Sequence, residues 1–385
     1  MTLSRADRSS FATWWWTIDK VALLAMLALI GIGLMLAFAA SPAATGGPVT
    51  AGDFHYAVKQ IAFAVIAAFI VGSTSLLSLR QIQIVAAVAF ALAMIGSFLV
   101  LFTGSEVLGA KRWIDLGWMT LQPSEFLKPG FAVLGAAILA DRAPMRFPKP
   151  VITLLLIAPA LLFLMLQPDV GQTALLLALW ASLLFFTGVS LYWMGALAGA
   201  GVLLGGFAYA LFPHVRHRIE QFLNPADTGY QAGLALKAFA HGGLLGVGPG
   251  AGTIKYRIPD AHSDFIFAVA GEEFGLVLCG VVAILFCVLS VRIMLRSANA
   301  RDPFSQLAGA GLAMVTAIQA FINMGVAVSL LPAKGMTLPF ISYGGSSLFA
   351  VALTMGFALA VTRQRPKLEL RETQPLFGNL LGARA

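Results

Sequence analysis

Charged residues in this chain gather in a few short runs whose members suit one kind of chemistry. Lys111, Arg112 and Trp113 stand ahead of Asp115, and Gln122, Glu125 and Lys128 follow closely. Asp169 closes a Gln-Pro-Asp run, Lys255 and Arg257 precede Asp260, His262 and Asp264, and Lys334 lies among prolines and glycines. Cations beside carboxylates suit a phosphate or diphosphate headgroup with a carboxylate at hand for proton transfer. Asp264 is the candidate base. Lys111, Arg112, Lys128, Lys255 or Lys334 could offset charge growing on a leaving diphosphate. A divalent cation could share that task, but no ligand set for one is readable, and His262 lacks the partner four residues on that a zinc pair would need.

Each of these residues also has a plainer reading. Ser263-Asp264 ahead of an apolar run is a helix N-cap signature. Trp113 fits an interfacial belt, Glu125 and Lys128 at a spacing of three can neutralise each other, and Asp169 after Pro168 fits a turn or cap. The glycines from Gly246 to Gly252 have no preceding strand and no following Gly-Lys-Ser/Thr, so a nucleotide loop is not indicated.

The elements that position these groups follow from composition. The 385 residues are 59% hydrophobic and 11% charged, with a mean hydropathy of +0.87, which describes an integral membrane protein. Backbone polar groups in lipid must pair within their own element, and the apolar runs are too long for barrel strands, so the expected fold is an all-α helical bundle. Ten spans are expected, near 21–41, 57–78, 83–103, 124–140, 151–167, 172–188, 191–211, 264–290, 304–330 and 345–362. The fifth and sixth would merge if Gln167-Pro168-Asp169 were only a kink. Residues 1–20 form an N-terminal segment, 21–362 one transmembrane domain with a long loop at 212–263, and 363–385 a tail. Cys279 and Cys287, eight apart on one expected helix, are about 12 Å from each other by helical rise, beyond disulfide reach.

Lys and Arg fix the expected orientation. Arg5, Arg8, Lys20, Arg80, Arg142, Arg146, Lys149, Arg292, Arg296, Arg301 and the five basic residues of the tail from Arg363 onward share one side, so both termini are expected in the cytoplasm and the candidate site outside. Trp14-Trp15-Trp16 reads as an interfacial anchor, and no A-x-A cleavage site follows closely, so the first helix is expected to stay. The net charge of +8 sets topology here. No basic block is interleaved with aromatics, and nucleic acid is not an expected partner. No sequence repeat relates the two halves, so an inverted-repeat transporter gains little support.

Several runs in fixed order are recognisable: GAKRWIDLG, QPSEF with Lys128, QPDVG, GYQ with GGLLGVGPG, KYRIPDAHSDFIFAVAGEE and LPAKGMTLPFISYGGSS. Over roughly residues 20 to 365 the chain resembles the shape, elongation, division and sporulation (SEDS) family of cell-wall polymerases, its division members more than its elongation members. The resemblance implies polymerisation of lipid II into β-1,4 glycan at the outer face of the bacterial inner membrane, at the division septum. It also implies a class B penicillin-binding transpeptidase and other division proteins as partners. Asp264 takes the family's essential acidic position and Trp113 its essential aromatic, while Glu125 and Lys128 match polar positions heading the fourth span. Lys111, Arg112, Asp169, Lys255, His262 and Lys334 complete the expected substrate-binding set. Asp260 stands where Glu is usual, Ser263 where Thr is usual, and Thr120 where many members carry a basic residue. A transporter of the lipid-linked precursor, or an elongation polymerase, is the alternative.

Overall fold

The computed structural model describes residues 9–45, 54–107, 110–143, 145, 147–211, 216, 220, 230–332 and 335–363. All ten expected spans appear as helices: α2 (Lys20–Thr45), α3 (His55–Ser75), α4 (Leu79–Thr103), α5 (Ser124–Ala140), α6 (Lys149–Leu166), α7 (Val170–Phe186), α8 (Leu191–Leu211), α10 (Ile266–Ala298), α11 (Pro303–Ala327) and α12 (Gly345–Val361). The described residues add α1 (Ser10–Thr17) and α9 (Tyr230–Gly242). Among the described residues six helices (α2, α3, α4, α6, α10 and α11) are long and apolar enough to cross a membrane. α6 and α7 are separate helices meeting at Pro168-Asp169. α4 starts four residues earlier than expected because Ser78 and Gln81 form a reciprocal capping box, satisfying two N–H groups the helix start leaves open.

Burial ranks the helices. Every residue of α12 is buried, as its all-round apolar sequence requires, and it packs against α3, α5 and α11. α5 is buried over nearly its whole length and touches α4, α6, α7, α11 and α12. Only an apolar, small-residue helix can occupy so central a place, yet α5 carries Glu125 and Lys128 in its first turns.

Two features depart from the expected helix-and-loop plan. Residues 105–121 form a small antiparallel sheet, β1 (Ser105–Val107), β2 (Ala110–Asp115) and β3 (Thr120–Leu121). The expected long loop is folded in its second half: α9 buries Leu234, Ala235, Ala238 and Phe239 against α10.

α10 itself is interrupted. Gly275 has φ 77 and ψ −179, a backbone conformation open essentially to glycine. The break lets residues 243–248 pass through. Val247 and Gly248 donate to the carbonyls of Glu272 and Glu273 at 3.0 Å each, while Leu276 and Val277 donate to those of Gly243 and Leu244 at 3.0 and 3.2 Å. Broken helical hydrogen bonds are thereby replaced, the condition for irregular backbone at membrane depth. A Cβ at Gly275 would lie 2.2 Å from the Leu244 carbonyl oxygen.

Candidate active site

Four segments meet where α10 begins: the β2 strand, the α6–α7 joint, the turn at 258–265 and the loop at 335–343. Asp264 stands on the turn, with its own N–H and that of Phe265 reaching the Asp260 carbonyl at 3.1 and 3.3 Å. Its carbonyl accepts from Asn323 Nδ2 at 2.9 Å, and the same amide donates to the Met336 carbonyl at 2.5 Å. Ser342 Oγ donates to the Ser263 carbonyl at 2.5 Å, and Tyr343 N–H to that of His262 at 2.9 Å. The 335–343 loop is therefore clamped to the Asp264 turn from both sides. Gly335, at φ +58, lies so close that a Cβ there would sit 3.2 Å from Asp264 Oδ2.

Asp264 does not cap α10. Phe265 is the N-cap residue, without a side-chain cap hydrogen bond. Among the described residues no hydrogen bond or ion pair reaches the Asp264 carboxylate, and its side chain keeps partial exposure. Burial, then the nearby charge of Asp260, pushes its carboxyl up to about 7; Arg112 opposes the rise and Asp169 adds to it. A carboxyl in this state exchanges its proton near neutral pH, as a general base must.

Of the Lys111-Arg112-Trp113 triplet, Arg112 faces the α6–α7 joint. It donates to the Pro168 carbonyl at 2.7 Å and to that of Gln167 at 3.3 Å, with Asp169 Oδ2 3.7 Å from Nε. Strand alternation places Lys111 and Trp113 on the other face, Lys111 exposed and Trp113 partly so. Asp169 caps α7, accepting from Gln172 N–H at 3.2 Å. Burial raises its carboxyl above the usual range, against the pull of Arg112 and the Gln172 N–H.

Three of the expected substrate contacts have partners within the bundle. Lys128 and Glu125 form a buried pair at 2.7 Å, extended by Lys128 to Gln319 Oε1 at 2.8 Å and by Gln172 to Glu125 Oε1 at 2.6 Å. The ammonium is therefore paired inside the bundle, where it lines a small cavity with Glu125 and Gln319. Lys255, expected as a free cation, is 1% exposed and donates to Glu273 Oε1 at 2.5 Å and to the Ala39 carbonyl at 2.6 Å. Glu272 beside it accepts the N–H groups of Thr253, Ile254 and Lys255 at 2.7–2.8 Å. These residues hold the polar segment to α10; a buried charge persists only with such partners.

His262 is stacked, its ring 4.8 Å from that of Tyr56 and 5.5 Å from that of Tyr343. Burial holds its imidazole below the usual value, with Asp260 opposing, so at neutral pH it is an aromatic wall. Lys334 lies outside the described residues. Among those residues, no group of three or more His, Cys, Asp or Glu gathers as a metal site would require.

Sequence reasoning passed over Gln319 and Asn323. Gln319 Nε2 donates to the Thr337 carbonyl at 3.1 Å, so these two α11 amides carry the loop that flanks Asp264. Their signal was present: two amides four apart in an apolar helix share one face.

Comparison with known proteins agrees with this geometry. Residues 20–367 match the family model FTSW_RODA_SPOVE, described as cell cycle protein. The chain is 40% identical over 366 residues to a probable peptidoglycan glycosyltransferase FtsW of Caulobacter vibrioides, covering 94% of each. It is 37% identical to a protein of the same description from Alkalilimnicola ehrlichii, covering 90% of each. Its fold matches a chain from a peptidoglycan synthase complex studied for coordination of polymerization and crosslinking, with TM-score 0.76 and 26% identity over 90% of this chain and 98% of that one. It also matches the Thermus thermophilus rod shape determining protein RodA, with TM-score 0.67 and 25% identity over 91% and 99%. The chain belongs to the FtsW, RodA and SpoVE family of cell cycle membrane proteins.

Proposed function

We propose that this protein is a peptidoglycan glycosyltransferase of the division type, polymerising lipid II at the outer face of the bacterial inner membrane. The observation that carries the reading is the carboxyl of Asp264, which no described residue pairs and which burial and Asp260 push up to about 7. Asp264 takes the proton of the acceptor sugar's C4 hydroxyl. That oxygen attacks the anomeric carbon, the bond to the polyprenyl diphosphate breaks, and the configuration inverts. Arg112, the cation whose charge reaches Asp264, supplies positive charge to the departing diphosphate. His262, Tyr56 and Tyr343 offer aromatic faces beside the turn that carries Asp264. A penicillin-binding transpeptidase as partner is supported by the origin of a structural neighbour in a synthase complex.

Lipid translocation fits less well. Buried charged residues fall at the two ends of the bundle: Glu125, Lys128, Asp169, Lys255, Glu272 and Glu273 at one, Asp19 and Asp141 at the other. The central turns carry no buried charge among the described residues, only neutral groups such as Thr316 and Thr354, whereas intramembrane charges mark the path of a charged headgroup.

The test is polymerisation of labelled lipid II by reconstituted protein, alone and with its cognate transpeptidase, beside a lipid-flip assay on the same vesicles. Glycan strands from wild type and none from Asp264→Asn support the reading. Headgroup translocation without polymer refutes it.

A further inference from the structure

At the end of α10 remote from Asp264 lies a second charged assembly that the chemistry above leaves unused. Arg292 and Arg296 both donate to Asp19 Oδ2, at 2.9 and 2.5 Å. Burial favours the neutral form of Asp19, but the Ala22 N–H and the two guanidiniums outweigh it and hold the carboxyl below its usual value. One carboxylate cannot neutralise two arginines, so the trio stays positive.

Beside it opens a cavity of about 330 Å³, walled by Arg296, Arg301, Arg363 and Ser305 with Leu79 and Val361 as its apolar side. Asp302, also at the wall, is committed to the N–H and hydroxyl of Ser305 at 3.0 and 3.1 Å. Arg301 is exposed and donates to no described residue. Arg363 is aimed by Thr17 Oγ1 at 3.2 Å and the Ser75 carbonyl at 3.3 Å.

The cavity's depth is marked by α1. Trp14 Nε1 donates to Ser75 Oγ at 2.9 Å, and Lys20 Nζ lies 5.1 and 4.8 Å from the rings of Trp15 and Trp16. Tryptophans with a neighbouring lysine sit at the headgroup level of a bilayer, and basic pockets between helix ends on the cytoplasmic side hold anionic headgroups.

We propose that this cavity binds the headgroup of an anionic phospholipid of the cytoplasmic leaflet, its phosphodiester held by Arg301, Arg296 and Arg363. The choice of leaflet rests on the orientation proposed above; the ligand chemistry does not.

The test uses the full-length protein, delipidated in detergent and offered phosphatidylglycerol, phosphatidylethanolamine or inorganic phosphate, with retained lipid counted by native mass spectrometry. Wild type is expected to retain phosphatidylglycerol in preference to phosphatidylethanolamine. Arg301→Gln is expected to weaken that retention about fivefold, the effect of one basic residue at a membrane surface. Ala300→Glu, which sets a carboxylate on the wall, should abolish it. Lipid-free unfolding temperatures matching wild type are expected for Arg301→Gln. Equal retention of the two lipids, undiminished retention in both variants, or displacement by equimolar inorganic phosphate would each overturn the assignment. None of these readouts depends on polymerase activity, so they stand apart from the fate of the glycosyltransferase reading.

Discussion

Replacing Asp264 by Asn should move activity and stability in opposite directions. The carboxyl is pushed from 3.8 up to about 7, and at about 1.4 kcal/mol per pH unit this makes the ionised form cost the fold roughly 4 kcal/mol. Below pH 4 the folded and unfolded chains are both protonated and the cost vanishes. Between 4 and 7 the unfolded chain ionises first, so wild-type stability falls as pH rises, and above 7 the whole penalty is present. Asn carries no charge and escapes it. Asp264→Asn should therefore unfold at a higher temperature than wild type at pH 8 and at nearly the same temperature at pH 4. A general base contributes roughly 10²- to 10⁴-fold in rate, or about 3–5 kcal/mol, so lipid II polymerisation should drop by that factor. The paired assays are glycan synthesis in proteoliposomes from pH 5.5 to 8.5 and thermal unfolding in detergent from pH 4 to 8.5. Wild-type rates should climb with pH to a plateau, with a midpoint near 7. A flat wild-type profile, or polymerisation by Asp264→Asn within threefold of wild type, would refute the assignment.

Asp260→Asn removes a charge that raises the Asp264 carboxyl, and Arg112→Gln removes one that lowers it. The acidic limb of the rate profile should shift down in the first and up in the second; shifts of the same sign would sink the electrostatic account. Lys128→Met leaves Glu125 buried without its cation and should cost about 3–5 kcal/mol, with Glu125→Gln in the same chain recovering much of it, as read by thermal unfolding. Gly275→Ala forces a Cβ against the Leu244 carbonyl at a positive φ and should cost at least about 3 kcal/mol; wild-type unfolding behaviour would show that the break in α10 relaxes freely.

Much of the architecture was legible because a membrane makes the code simple. Apolar runs near 20 residues must be helices, and all ten were placed from hydrophobic length alone. The place of Asp264, just ahead of a helix and among cations, was legible too. The division of labour among those cations was not. Lys111, Arg112, Lys128 and Lys255 are equivalent in sequence, yet Lys128 and Lys255 are sealed against Glu125 and Glu273, while Arg112 spans to Pro168 and Asp169. Those partners are three, eighteen and over fifty residues away, and only the packing of α5, α7, α10 and α11 decides which charges meet. The same holds for the helix break at Gly275, which exists because residues 243–248 thread through it. Composition thus determined that the chain is a helical membrane bundle with charge at its ends. Tertiary contact decided which of those charges are paired among the described residues, because a charge in a low-dielectric interior must find a partner.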